Sequence, residues 1–204
     1  MRELVRVLRE GWKGFKVVNV TPGRFVWEEN LTVHLDGRFV MFLKVFYGYG
    51  YYRPWVEAFE IDPSFHGDRW EPEFYSLLYE KSPPLSKVFV EYTSDPETDR
   101  ALRLGTPPEL SRMGYLLLKA GYRNLRNWYY PEGLKEGGPK LQGEKVPEGY
   151  TPRDPSGEIR EFLKNAPVEY PEVRRAVERA EEILSLFGNA NLQEVQRPQT
   201  AEQE

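Results

Sequence analysis

Ile61-Asp-Pro-Ser-Phe-His-Gly-Asp-Arg-Trp-Glu71 carries the chain from an apolar strand into a helix. Asp62-Pro63 marks the strand's end, because proline has no amide for a central ladder. Gly67 permits a sharp turn, and Pro72 suits the first position of the helix that follows. Phe74, Leu77 and Leu78 recur at helical spacing and give that helix an apolar inner face. A strand that turns directly into a helix presents converging backbone N–H groups, the geometry of a phosphate cradle.

Working outward, Trp55 to Ile61 reads as the strand that delivers this loop, and Lys87 to Tyr92 as a buried strand. Ser94 or Asp95 caps a short helix with Pro96 early in it and Glu97 three residues after Ser94. Thr106-Pro-Pro-Glu109 repeats the capping pattern before a helix whose stripe is Leu110, Met113, Leu117 and Ala120, with Gly121 as its stop. Asn124 to Tyr130 reads as a strand. Upstream, residues 2–13 form a helix with Leu4, Val5, Leu8 and Trp12 on one face. Phe15 to Val20 is a strand closed by a Thr21-Pro-Gly23 turn. Arg24 to Leu35 and Phe39 to Tyr47 are extended and joined by Asp36-Gly37, a strong hairpin signal. Tyr47-Gly-Tyr-Gly-Tyr-Tyr52 turns the chain. Residues 131–150, with Pro131-Glu-Gly133 and Gly137-Gly-Pro139, read as a loose hairpin or a loop over a site. Helices follow at Gly157 to Asn165 and Pro171 to Phe187.

Ile61 to Gly67 followed by a helix resembles motif A of the GNAT superfamily of N-acetyltransferases, whose amides bind the coenzyme A pyrophosphate. Asp62, Pro63 and Gly67 match, and Phe65 stands for the motif's aromatic residue. His66 replaces an Arg or Gln, and Arg69 and Glu71 replace two glycines. Leu116-Leu-Leu-Lys-Ala-Gly-Tyr122 is similar to motif B through Lys119, Gly121 and Tyr122, while Leu117 stands where a general-acid tyrosine is usual. The order of elements resembles the GNAT order over residues 15–146. The chain also looks like a small uncharacterised family from thermophiles that is assigned this fold. The resemblance implies an α+β fold layered α/β/α, with a mixed, mostly antiparallel central sheet flanked by helices. The division it implies is a GNAT-like domain over 1–150 and a C-terminal helical extension over 151–188. The polar residues 189–204 read as a disordered tail.

Composition narrows the function classes. The 204 residues fit one domain with an extension. A net charge of −4 gives no pull towards nucleic acid or anionic membrane. Without cysteine there is neither a disulfide framework nor a thiol nucleophile, and two histidines argue against a multi-histidine metal site. No apolar run reaches membrane-span length and the charged N-terminus is not a signal peptide, so a cytoplasmic protein is expected. Abundant charge and proline fit a heat-adapted chain.

The activity implied by the resemblance is transfer of an acyl group from acetyl-CoA or another acyl-CoA to an amine. Ile61, His66, Gly67, Asp68, Arg69 and Trp70 would then contact the carrier, with Arg69 as a phosphate fork. A carboxylate at the helix N-terminus suits the helix dipole, so Glu71 would compete with a pyrophosphate. Glu57 alternates with Trp55, Phe59 and Ile61, and a carboxylate on an apolar face has the raised pKa a general base needs. Tyr122 is a candidate acid, with packing as its simpler role. The run Tyr47, Tyr49, Tyr51 and Tyr52 offers stacking surfaces, and Arg123, Arg126, Lys135 and Lys140 make a basic region. The alternative function is a non-catalytic binding or assembly module on the same scaffold. Its partner surface would be the 171–187 helix, and a homodimer is one form of it.

Overall fold

The computed structural model describes residues 1–128 and 138–188. Strands β1 (Phe15–Pro22), β2 (Glu28–Leu35), β3 (Arg38–Phe46), β4 (Trp55–Phe59), β5 (Lys87–Glu91), β6 (Arg123–Trp128) and β7 (Lys140–Glu144) form one sheet in the order β1-β2-β3-β4-β5-β7-β6. Every neighbouring pair is antiparallel except β4 and β5, which run parallel. The helices are α1 (Arg2–Glu10), α2 (Trp70–Lys81), α3 (Pro96–Arg103), α4 (Arg112–Ala120), α5 (Ser156–Lys164) and α6 (Pro171–Leu186). The molecule is thus a mixed α+β fold around a mostly antiparallel sheet, with a helical C-terminal extension. A parallel pair needs a long crossover, and α2 supplies it between β4 and β5.

Strand alternation decides which face of the sheet is covered. Leu31, Val33, Met41, Leu43, Val45, Val56, Ala58, Val88 and Val90 are all buried on one face. Helices α1, α2, α4 and α6 contact one another in succession over that face. They bring Leu4 and Leu8, Phe74, Leu77 and Leu78, Met113 and Leu117, and Ile183 and Leu184 into the same core. Each such side chain contributes about 1.5–3 kcal/mol when taken from water. The intervening residues Phe42, Lys44, Phe46, Trp55, Phe59, Lys87 and Phe89 line the opposite face and stay partly accessible.

Asp36 and Gly37 both take left-handed backbone, φ 49° and 81°, as the tight β2–β3 hairpin requires. Several boundaries differ from the sequence reading. Helix α1 stops at Glu10 because Gly11 leaves helical space at φ 100°, and Trp12 pairs with Phe15 in a bridge. Strand β1 runs through Thr21 and Pro22, which pair with Asn30 and Glu29. Helix α2 begins at Trp70, with Pro72 inside its first turn. Pro108–Leu110 forms a separate 3-10 turn, and α4 starts only at Arg112, with Ser111 accepting the Gly114 amide at 3.2 Å. The Thr106–Glu109 capping pattern fails because Glu109 is buried and pairs with Arg153 at 2.7 Å.

The extension is bound into the domain rather than appended to it. Val173, Ala176, Ala180, Ile183 and Leu184 of α6 are buried. Arg179 donates to the Leu110 carbonyl at 3.1 Å and to Glu97 at 3.0 Å. The apolar face of this helix is therefore buried within the chain. Tyr130, the Pro131–Gly133 turn, Lys135, Gly137 and the 189–204 tail lie outside the described residues.

Candidate functional site

The loop after β4 is built from local chemistry. Glu60 takes left-handed backbone at φ 47° and ends the strand. Asp62 accepts the Ser64 amide at 2.9 Å and so starts the 3-10 turn Pro63–Phe65. Phe65 is buried edge-on against Phe15, Phe74 and Tyr75 and anchors the loop to the core. Gly67 then turns at φ 82°, and α2 begins.

The nook this turn makes is occupied by the chain itself. Glu71 is 0 % exposed. Its Oε1 accepts the Gly67 amide at 3.0 Å and Arg112 Nη1 at 2.6 Å. Its Oε2 accepts Arg112 Nη2 and the Tyr75 hydroxyl, each at 3.0 Å, and lies 2.7 Å from His66 Nδ1. Burial pushes this carboxyl up, but hydrogen bonds from His66, Arg112 and Gly67 outweigh it and hold the pKa at about 2. The ionised carboxylate can only accept, so His66 Nδ1 is the donor. Arg112 also reaches Asp95, with Nε at 3.0 Å and Nη2 at 2.9 Å. Burial lowers its pKa, yet Glu71 and Asp95 raise it further still. On the other side of the imidazole, His66 Nε2 lies 2.7 Å from Ser94 Oγ.

The second concave region is the uncovered sheet face. Two clefts, of about 680 and 760 Å³, adjoin at Phe25 and Trp55. The larger is mainly aromatic, with Trp27, Phe46, Tyr49, Tyr51, Tyr52 and Phe89 around it. Trp27 stacks on Tyr49 at 5.8 Å and Phe46 on Trp55 at 5.7 Å. The smaller cleft reaches Glu57, Glu60, Glu91, Lys44 and Lys140. Glu57 and Lys140 form an ion pair on its floor, 8 % and 4 % exposed. Burial and nearby Lys44 push the Lys140 ammonium down to about 8; the Glu57 carboxylate beside it opposes that shift.

The residues singled out by sequence fall into four groups. His66 and Gly67 belong to the Glu71 network. Ile61 is buried in the core, Asp68 accepts the Trp70 amide at 2.8 Å, and Arg69 lies over the Trp70 ring at 4.7 Å. Glu57 stands on the open face, tied to Lys140. Tyr122 is buried edge-on against Tyr79 at 5.1 Å, and burial raises its hydroxyl pKa far above the ordinary range. Ser94 does not cap α3 but turns to His66, and Glu97, its supposed capping partner, pairs with Arg175 and Arg179. Arg112, Trp27 and Phe46 were not legible as site residues. Arg112 lies 41 residues from Glu71, and Lys140 83 residues from Glu57, separations that no local spacing encodes. Among the described residues no group of three or more His, Asp or Glu is placed to hold a metal ion, and no helix is long and apolar enough to cross a membrane.

Residues 13–166 match the DUF1122 family, described as proteins of unknown function, and the chain belongs to that family. It is similar to a protein of unknown function, AQ1966, from Aquifex aeolicus VF5, known from a crystal structure. The two are 33% identical, with a TM-score of 0.69, over 92% of this chain and 98% of that one. No curated protein matches the chain.

Proposed function

We propose that the protein is a small-molecule-binding protein on a GNAT-like scaffold, with its ligand seated on the open sheet face. The ligand class is a flat aromatic or heteroaromatic molecule carrying a polar group. One observation carries this reading: Glu71 takes the Gly67 amide that a pyrophosphate would need, while the opposite face offers an aromatic cleft with a buried ion pair on its floor. A cleft of this size is ordinary for a small ligand. Trp27, Phe46 and Trp55 would stack on the flat part, and Glu57 and Lys140 would meet the polar group. Titrating the protein with nucleosides, flavins and pterins while reading tryptophan fluorescence tests this, with coenzyme A as a comparison. Saturable quenching by one class, weakened at least tenfold by Trp27→Ala, is expected. No response from any class, or an unchanged affinity in Trp27→Ala, overturns it.

A second reading is acyl transfer from an acyl-CoA to an amine, with Glu57 as base. The strand order and the parallel β4/β5 pair joined through α2 favour it. Arg69 would supply the phosphate contact from outside the filled nook. Calorimetry with a panel of acyl-CoAs decides it. Absence of heat and of any thermal shift removes it, because a ligand bound to the native state must raise the melting temperature.

A further inference from the structure

We propose that Ser94, His66 and Glu71 form a nucleophilic relay that takes an acyl group onto the Ser94 hydroxyl. The three groups are linked through the imidazole: Ser94 Oγ to His66 Nε2 is 2.7 Å, and His66 Nδ1 to Glu71 Oε2 is 2.7 Å. They come from two pieces of chain, the stretch from the loop after β4 into the first turn of α2 and the loop after β5. This is the arrangement that activates a serine: a base in hydrogen-bond reach of the hydroxyl, oriented by a third group.

The proton positions follow from the chemistry. The Glu71 carboxylate accepts on both oxygens and so requires a hydrogen on His66 Nδ1. In a neutral imidazole the lone pair is then on Nε2, and the Ser94 hydroxyl must donate to it. Glu71 itself is fixed by Gly67, Tyr75 and Arg112, so the ring is held in one orientation. His66 is nearly covered, its side chain 6 % exposed, whereas Ser94 is partly open to solvent. Helix α3 begins two residues beyond Ser94 at Pro96, which has no amide hydrogen, and the Glu97 and Thr98 amides of its first turn have no partner within the helix. Such donors suit the oxyanion of acyl transfer.

The substrate class is an activated acyl compound, an ester or thioester. Ser94 Oγ bonds to the acyl carbon as its proton passes to His66 Nε2. The bond from that carbon to the leaving oxygen or sulfur breaks, and the leaving group takes the proton from Nε2. Water then gives a proton to Nε2 and its oxygen attacks the acyl-serine. The acid leaves, and the proton returns to Ser94 Oγ. This relay stands whether or not the open face binds a ligand.

The native chain, incubated with a fluorophosphonate probe and read by intact mass and peptide mapping, gives the test. One adduct, on Ser94, is expected. It is absent from Ser94→Ala, and it forms at least a hundredfold more slowly in His66→Gln that melts cooperatively. No adduct on the folded protein, an adduct elsewhere, or unchanged labelling of His66→Gln overturns the relay. Ser94→Cys supplies a readout that does not depend on the folding of His66→Gln. The chain has no cysteine, so the variant holds a single thiol. A thiol against His66 Nε2 should react with iodoacetamide at pH 6 at least tenfold faster than free cysteine, whose pKa is about 8.5. An ordinary thiol pH profile shows instead that the three residues only tie the loop to β5.

Discussion

Arg112 forks onto Glu71, with Nη1 at 2.6 Å from Oε1 and Nη2 at 3.0 Å from Oε2. The two residues belong to α4 and α2, which pack on each other. The fork therefore crosses a helix–helix contact and also ties the Gly67 turn to α4. A fully buried carboxylate is tolerable only because every lone pair has a donor.

Arg112→Leu should accordingly be severe. It removes the charge that compensates Glu71 while His66, Tyr75 and Gly67 remain. Breaking one partner of a buried pair typically costs about 3–5 kcal/mol. Urea unfolding of the variant should show a midpoint lowered by that amount. A loss under about 1 kcal/mol, the range of surface pairs, means the fork contributes little.

The same pair sets an acid dependence. The folded Glu71 pKa of about 2 lies below its ordinary 4.5. A depressed acid stabilises the fold fully above the unfolded value, and that stability is lost as pH falls from about 4.5 towards 2. At about 1.4 kcal/mol per pH unit this amounts to roughly 3 kcal/mol. Other carboxylates titrate in the same window, so the measurement is a difference. The stability gap between the natural chain and Glu71→Gln should shrink between pH 5 and pH 3. A constant gap shows that Glu71 is not held ionised.

Much of the architecture was legible because it rests on local periodicity and on turn chemistry. Leu31, Val33 and Leu35 alternate, Phe74, Leu77 and Leu78 follow the helix period, and Asp36-Gly37 takes the left-handed backbone the hairpin needs. Ser94 was misread for a physical reason. A serine before Pro96 fits a helix cap, but α3 starts at Pro96, so Asp95 holds the cap position and Ser94, one residue earlier, meets the distant imidazole instead. Glu71 was legible as a rival to an anion in the nook, since any carboxylate suits a helix N-terminus. Its partner Arg112 was not, because only the docking of α4 on α2 brings the two together.

Gly114 is where α4 comes closest to the preceding turn. A Cβ there would lie 1.8 Å from the Pro108 carbonyl oxygen, a backbone atom that cannot swing away. Gly114→Ala would favour the helix by about 1 kcal/mol through propensity, yet the overlap must displace α4 from the Pro108–Leu110 turn. Overpacking of this kind costs about 1–3 kcal/mol or more. The melting temperature should therefore fall. A rise shows that α4 and the Pro108–Leu110 turn can move apart at little cost.

Glu57 and Lys140 invite a double-mutant cycle. Lys140→Met alone leaves Glu57 buried without its cation, at a cost of about 3–5 kcal/mol. Adding Glu57→Leu should restore most of that, since an apolar pair on this aromatic face needs no desolvation of charge. If the double variant is as unstable as the single one, the cost lies in packing against Phe89 rather than in charge. A fully restored double variant that has also lost its ligand response would separate the pair's role in binding from its role in folding.

Removal of α6 gives the widest separation between two outcomes. Were this helix a surface for another chain, a protein ending at Asn165 would stay folded and lose only an assembly. Val173, Ala176, Ala180, Ile183 and Leu184 are instead buried within the chain, and Arg179 holds the Leu110 carbonyl. Ending the chain at Asn165 would strip the cover from α3 and α4, and through α4 loosen the Arg112 fork. The shortened protein should melt well below the full one and with lost cooperativity, followed by circular dichroism. An unchanged melting temperature with a changed mass in light scattering would return α6 to the role of an interface.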